Sequence, residues 1–357
     1  MNKRRLAKAL RRLYYLPASR YFFAYTSNKF KHFYYKLTKS TKVAYPSTIM
    51  LELTNHCNLA CTICPREYEY GKQMDKGMME VKHAKKIIDE VIPYLDSIGL
   101  TGMGETFMYK QIKEVVDYIK SKNKGVIISV STNAVLPDFI GRVKDVIGKI
   151  DTIQVSIDGL NEVYNSIRIN SDFSILDKNI RELAKLSEGT TTDIMLNMVV
   201  TKENYTHMPA LVQYAADAGV KFLDFTLFNL ASVTGYDLDY YDFYESDEFL
   251  DTVAQLEKAI SEYPEVLVTG KNFKTDKGFK NCPFPWSHFY VSQDGYVPPC
   301  CAKPFPKEKH FGSTHSHSLI EVLNSDDFRQ WREMWYENET PDFCKKCHFI
   351  NIDAVES

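Results

Sequence analysis

At 357 residues the chain is long enough for one large domain with a smaller one beside it. Its 44% apolar and 25% charged residues exclude a disordered or fibrous protein. No apolar run reaches the roughly 18–20 residues that span a bilayer, and arginines interrupt Leu6–Leu16, so no secretory signal is read there and the expected compartment is the cytoplasm. The net charge of -2 hides an asymmetry: residues 1–51 hold twelve Lys or Arg and no Asp or Glu, leaving 32 basic against 46 acidic side chains in the rest.

Residues 1–45 form a basic, aromatic arm. Leu6, Leu10 and Leu13 fall on one face of a predicted helix, with Arg5, Lys8 and Arg12 facing away, and Pro17 closes it. Ten of the first 35 residues are aromatic. That composition suits a helical extension packed by its aromatics, an anionic membrane surface, or another acidic partner. Nucleic acid is not expected.

From residue 46 strands and helices alternate. Strands are predicted at Ser47–Leu53, Ser97–Leu100, Val126–Val130, Thr152–Ile157, Ile194–Val200 and Phe222–Phe228. Helices are predicted between them at Val81–Leu95, Ile112–Ile119, Leu136–Ile147, Ile175–Leu186 and Met208–Ala218. Such alternation implies an α/β fold with a parallel sheet and right-handed crossovers. Six units imply a partial (β/α)6 barrel over 46–245, with its chemistry at the C-terminal strand ends. The Tyr- and Asp-rich run 229–245 reads as a loop over that mouth, with Tyr236–Tyr244 either exposed or offering hydroxyl-binding groups. A linking helix is placed at 246–264. From 265 to 357 the chain turns to short strands, turns and cysteines, a small α+β domain. There Trp286–Val291 and Gly295–Val297 flank the turn Gln293-Asp294-Gly295 as a predicted hairpin, and Ser325–Trp335 reads as a helix.

The eight cysteines fall in two groups, with none in the 217 residues between them. Two metal sites explain that gap better than a disulfide framework does in a cytosolic chain. Cys57, Cys61 and Cys64 form C-x3-C-x2-C directly after the apolar run 49–53. Three thiolates with no fourth nearby suit structural zinc poorly, whereas an iron–sulfur cluster is anchored by cysteines and tolerates a non-protein fourth ligand. In the second group, Cys282, Cys300, Cys344 and Cys347 offer four thiolates, which suit zinc as well as a cluster. Cys301 is left to replace Cys300, to pack as a small apolar residue, or to donate a hydrogen atom. His310, His315 and His317 read as a solvated or cluster-covering loop, and His56 as a hydrogen-bonding neighbour of the ligands.

The run Glu52–Pro65, ELTNHCNLACTICP, resembles the radical S-adenosylmethionine superfamily, and the resemblance extends over roughly residues 46–350. It implies a 4Fe-4S cluster on Cys57, Cys61 and Cys64, with S-adenosylmethionine at the open iron. Gly102-Met103-Gly104-Glu105 matches a segment that holds the cofactor's amino group. Ser131, Asn133, Ser156 and Asp158 match strand-end positions around the cofactor, although turn chemistry accounts for them too. Arg168 matches an arginine that pairs with the cofactor carboxylate. The second cysteine group resembles SPASM and twitch extensions, which implies one auxiliary 4Fe-4S cluster on Cys282, Cys300, Cys344 and Cys347.

The implied activity is reductive cleavage of S-adenosylmethionine to a 5′-deoxyadenosyl radical that abstracts hydrogen from a substrate. Flavodoxin or ferredoxin is the expected one-electron reductant. The main substrate reading is a small-molecule, carbohydrate- or aminocyclitol-like compound undergoing oxidation, by likeness to the 2-deoxy-scyllo-inosamine dehydrogenase type. The alternatives are a peptide- or protein-modifying maturase and, outside enzymes, a non-catalytic membrane-surface binding or scaffold protein. The expected location is the cytoplasm, peripheral to the inner face of the membrane through the arm.

Overall fold

The computed structural model describes residues 21–271, 273 and 282–347. The helix predicted around Leu6–Leu13 lies outside them. In chain order the principal elements are α1 (Phe22–Leu37), β1 (Thr48–Leu51), α2 (Val81–Val91), β2 (Ser97–Gly99), α3 (Ile112–Lys122) and β3 (Ile127–Thr132). They continue with α4 (Phe139–Lys144), β4 (Thr152–Ser156), α5 (Asn161–Ile167), α6 (Phe173–Ser187), β5 (Asp193–Val200), α7 (Met208–Asp217) and β6 (Phe222–Leu227). The last are α8 (Asp247–Glu262), β7 (Leu267–Thr269), β8 (Phe289–Val291), α9 (Leu319–Leu323) and α10 (Asp326–Tyr336). The strands form one eight-stranded parallel α/β sheet that stays open, in the order β7-β6-β5-β4-β3-β2-β1-β8.

The chain divides into two compact units. The first comprises Met1–His56, Met74–Ser129 and Asn281–Pro341. Its β1 alternates, burying Ile49 and Leu51. Its helices α2 and α3 lay apolar stripes inward at helical spacing, as α3 does with Ile112, Val115, Val116 and Ile119. The second comprises Cys57–Gln73, Val130–Lys280 and Asp342–Ser357. In it β4, β5 and β6 bury Ile153, Val155, Leu196, Met198 and Leu223, while α6 covers the sheet with Leu176, Ile180 and Leu183.

All six predicted strands form, and two more extend the sheet. At one edge β8 pairs in parallel with β1, Ile49 against Phe289 and Leu51 against Val291. At the other, β7 pairs in parallel with β6. The predicted hairpin is thus half right. Its turn closes, with Gly295 at φ +79 and its N–H donating to Ser292 O at 2.9 Å. Tyr296, however, bridges Ser313 instead of returning along β8. All three residues of β8 are buried, the mark of a strand covered on both faces, and a run of three cannot reveal which distant strand it joins.

The 229–245 run also departs from expectation. Leu238–Glu245 is a 3-10 helix that buries Tyr240, Tyr241 and Tyr244. Tyr240 packs edge-on against Phe228 and Tyr244 against Phe249, with Tyr241 against both tyrosines, so these three tyrosines build core rather than an open hydroxyl-binding loop.

Candidate metal centre

In the second unit the first cysteine loop is tied down by its backbone. Ala60 N donates to Ile169 O (3.2 Å) and Thr62 N to Ile167 O (2.9 Å), which fastens the loop to the end of α5. Cys64 N donates to Cys61 O, and Pro65 opens a 3-10 turn whose preset φ suits its first position. Of the three cysteines, Cys61 is buried, and Cys57 and Cys64 are half-buried.

Two of the sulfurs face N–H donors. Asn133 Nδ2 stands 3.8 Å from Cys57 Sγ and 2.9 Å from Asn58 Oδ1. Arg168 Nη1 stands 3.9 Å from Cys61 Sγ. Arg168 gives both Nε and Nη2 to Asp158 Oδ2, each at 2.7 Å, while Asp158 Oδ1 accepts from Val199 N at 2.8 Å. Asp158 is fully buried. Burial opposes the charge of Arg168, but Asp158 and Cys61 beside it hold its pKa above the ordinary range.

Burial pushes the Cys61 thiol up to about 12, against the pull of Arg168, and raises Cys64 as well. Free thiolates would therefore be unfavourable here, while sulfurs bonded to positive iron, with N–H donors directed at them, are well accommodated. Among the described residues no three His, Cys, Asp or Glu side chains gather at the spacing of a single ion. Cluster cysteines each bind a different iron, so their sulfurs stand further apart than the ligands of one ion. The residues present fit an iron–sulfur cluster.

Ser156 is half-buried at the end of β4, and Ser131 is half-buried near the end of β3. The remaining predicted cofactor residues lie in the first unit. A Cβ on Gly102 would collide with Glu52, and one on Gly104 with the carbonyls of Thr54 and His56. The missing side chains thus let this turn seat against residues 52–56. Glu105 N donates to His56 O at 2.8 Å, and Glu105 Oε1 accepts from Phe107 N at 3.1 Å, so the buried carboxylate caps its own turn. His56 meets its neighbours through its backbone, its N–H donating to Thr54 Oγ1.

Glu52 was given no role from sequence, yet it organises this turn. It is 2% exposed. Its Oε1 accepts from Met103 N at 2.6 Å and its Oε2 from Gln293 N at 3.0 Å, which joins β1 to the glycine turn and to the turn after β8. Burial raises its pKa to about 7, against the help of those two N–H groups. The available signal was one acid inside the apolar run Ile49-Met50-Leu51-Glu52-Leu53.

The second cysteine group divides between the units. In the first, Cys282 and Cys300 are buried and Cys301 is half-buried. In the second, Cys344 and Cys347 are buried, and Cys347 N donates to Cys344 O at 2.9 Å. Asn229 Nδ2 stands 3.6 Å from Cys347 Sγ. Tyr241 OH donates to Lys346 O at 3.0 Å, and Lys346 Nζ reaches Tyr236 O and Asp237 Oδ1 at 2.8 Å. The tyrosine-rich segment therefore clamps the Cys-x2-Cys turn. Of the loop histidines, His315 stacks on His83 at 3.9 Å between ring centres, and His310 packs beside Tyr296.

Comparison with known proteins identifies the family. A family profile described as the radical SAM superfamily matches residues 51–215, and one described as an iron–sulfur cluster-binding domain, SPASM, matches residues 282–348. The tungsten-containing aldehyde ferredoxin oxidoreductase cofactor-modifying protein of Pyrococcus furiosus is 26% identical over 304 residues, covering 80% of this chain and 82% of that one. The mycofactocin maturase MftC of Mycolicibacterium smegmatis is 30% identical over 175 residues, which span 49% of this chain and 43% of the maturase. Among solved structures, Streptococcus suis SuiB bound to its precursor peptide SuiA has the same fold at a TM-score of 0.62 and 16% identity, over 88% of this chain and 72% of that one.

Proposed function

We propose that this chain, which belongs to the radical S-adenosylmethionine superfamily and carries a SPASM domain, matures a peptide or protein by taking a hydrogen atom from it. The chain is a radical S-adenosylmethionine enzyme of oxidoreductase type, and its cofactors are S-adenosylmethionine, a 4Fe-4S cluster that binds it and an auxiliary 4Fe-4S cluster. When bound and reduced by one electron from a flavodoxin or ferredoxin, the cofactors supply a hydrogen-abstracting radical.

The chain's own residues hold and shield that chemistry. Cys57, Cys61 and Cys64 hold the first cluster, with Asn133 and Arg168 donating toward two of the sulfurs and Asp158 fixing Arg168. The turn Gly102–Glu105 and the strand-end residues Ser131 and Ser156 face S-adenosylmethionine in this reading. Cys282, Cys300, Cys344 and Cys347 hold the auxiliary cluster, and Cys301 is a hydrogen donor or a spare. The domains follow as an arm over 1–45, a barrel over 46–245, a linking helix over 246–264 and a SPASM-type domain over 265–357.

The observation that carries the peptide reading is the likeness of about half of the chain to a maturase. It has more support than the small polar substrate expected from sequence, whose hydroxyl-binding tyrosines are buried. A small molecule stays the second reading, favoured by the Pyrococcus relative, which matches most of both chains and is named for modifying a cofactor. The arm, in this reading, brings the enzyme to an anionic membrane surface, since residues 1–51 carry twelve basic side chains and no acidic ones.

The test is isotopic. The anaerobically reconstituted, reduced enzyme is given deuterated peptides from proteins encoded beside it, or deuterated sugars and aminocyclitols. Deuterium is then sought in the 5′-deoxyadenosine formed. Transfer from a peptide is expected; transfer from the small molecules alone overturns the peptide reading.

A further inference from the structure

We propose that the outward face of α1 is a docking surface for an anionic lipid bilayer, on which the helix lies flat. This rests on the membrane reading of the arm and assigns it to particular residues. An ordinary surface helix turns its apolar stripe inward and its polar side chains to water. In α1 the order is inverted.

Its inward face is polar. Asn28, 4% exposed, gives Nδ2 to Tyr45 O at 2.8 Å and accepts from Tyr45 N at 3.1 Å. His32 Nε2 meets the same carbonyl at 2.8 Å. Tyr25 OH donates to Asp96 Oδ1 at 2.9 Å, and Lys29 Nζ pairs with Asp96 Oδ2 at 2.8 Å.

The outward face is apolar. Phe23 is 83% exposed, Phe30 70%, Phe33 64%, Tyr34 53% and Leu37 71%. Positions 23, 30, 34 and 37 follow helical spacing into one stripe, which Phe33 widens and the exposed Thr26 and Ser27 interrupt between 23 and 30. Exposed large apolar side chains scattered singly need no explanation, but a group such as Phe30, Phe33, Tyr34 and Leu37 on one helix face marks an interaction surface.

Charge selects the occupant. Lys31, Lys36, Lys39 and Lys42 are exposed on or just after the helix, and residues 21–51 contain no acid. Aromatic side chains sit at the headgroup level of a bilayer, and lysines beside them meet anionic lipid. No described helix is long and apolar enough to cross a membrane.

The experiment is flotation of the full, cluster-loaded chain with vesicles of phosphatidylcholine alone or with phosphatidylglycerol added. Binding is expected to require phosphatidylglycerol and to weaken with salt. The triple variant Phe23→Ser, Phe30→Ser and Leu37→Ser is expected to lose about tenfold or more in binding, with iron content and S-adenosylmethionine cleavage unchanged. If the full chain binds neither vesicle, both this surface and the membrane reading of the arm fall. If the triple variant floats like the parent, the α1 face falls and the arm's basic residues keep the membrane reading. A parent that sediments as a dimer, split by the triple variant without any lipid binding, would assign the face to a second copy and overturn the proposal.

Discussion

The two cysteine-bearing regions of the second unit are backed in different ways. Behind Cys57, Cys61 and Cys64 lies a full buried ion pair, Arg168 with Asp158, whose guanidinium also faces the Cys61 sulfur. Behind Cys344 and Cys347 the support is neutral or exposed: an amide from Asn229 on the Cys347 sulfur, and a tyrosine hydroxyl on the Lys346 carbonyl. A buried ion pair costs desolvation and adds little stability over an apolar pair of the same shape. At the first loop it keeps the Arg168 guanidinium 3.9 Å from the Cys61 sulfur, which under the proposed function sets a positive charge beside a cluster ligand.

The largest test of that difference is removal of the ligands. Replacing Cys57, Cys61 and Cys64 with Ala is expected to remove about four irons per chain and to abolish S-adenosylmethionine cleavage. Replacing Cys344 and Cys347 is expected to remove the auxiliary iron while leaving the EPR signal of the first cluster. Iron analysis and EPR read both, and a cysteine variant that retained all its iron would show a wrong assignment.

Next comes the charge. Arg168→Ala leaves Asp158 buried without its cation and is expected to cost about 3–5 kcal/mol in thermal unfolding and to shift the midpoint potential of the first cluster. Removing both partners together is expected to recover part of the stability but not the potential. An unchanged potential would reduce the pair to scaffolding.

Glu52 gives a pH test. Its pKa is raised to about 7 by burial, so folding holds its proton more tightly than the unfolded chain does. Its contribution is therefore fully present below the unfolded carboxylate range and is lost as pH rises to about 7, by roughly 3 kcal/mol at most. Melting curves from pH 5 to 8 are expected to show this decline in the parent and a flatter course in Glu52→Gln. The smallest effect is at the second loop: Tyr241→Phe removes one hydroxyl from the clamp and is expected to cost about 1 kcal/mol with no loss of iron. A large iron loss there would mean that the clamp, rather than the cysteines alone, holds the auxiliary site.

Much of this was legible in the chain. Cys57, Cys61 and Cys64 announce themselves because three thiols at that spacing after an apolar strand have few other uses, and Asp158 and Arg168 stand out by motif order. The six first strands show through alternation with helices. The two edge strands do not, because three residues carry too little pattern to name a partner more than two hundred positions away along the chain, as β8 must for β1. The burial of Tyr240, Tyr241 and Tyr244 within the Tyr236–Tyr244 run is not legible, because composition reports polarity at the ring tip, while burial depends on what packs against the ring.

By itself the sequence determined the family: the residue types and their local spacing are covalent properties, and the likeness to the radical SAM superfamily follows from them. Only the tertiary structure decided how those residues are held. It gave Arg168 to Asp158, seated the glycine turn on Glu52, and turned the aromatic stripe of α1 outward. Each of these depends on side chains brought together from distant parts of the chain, through burial and hydrogen bonds that no local spacing encodes.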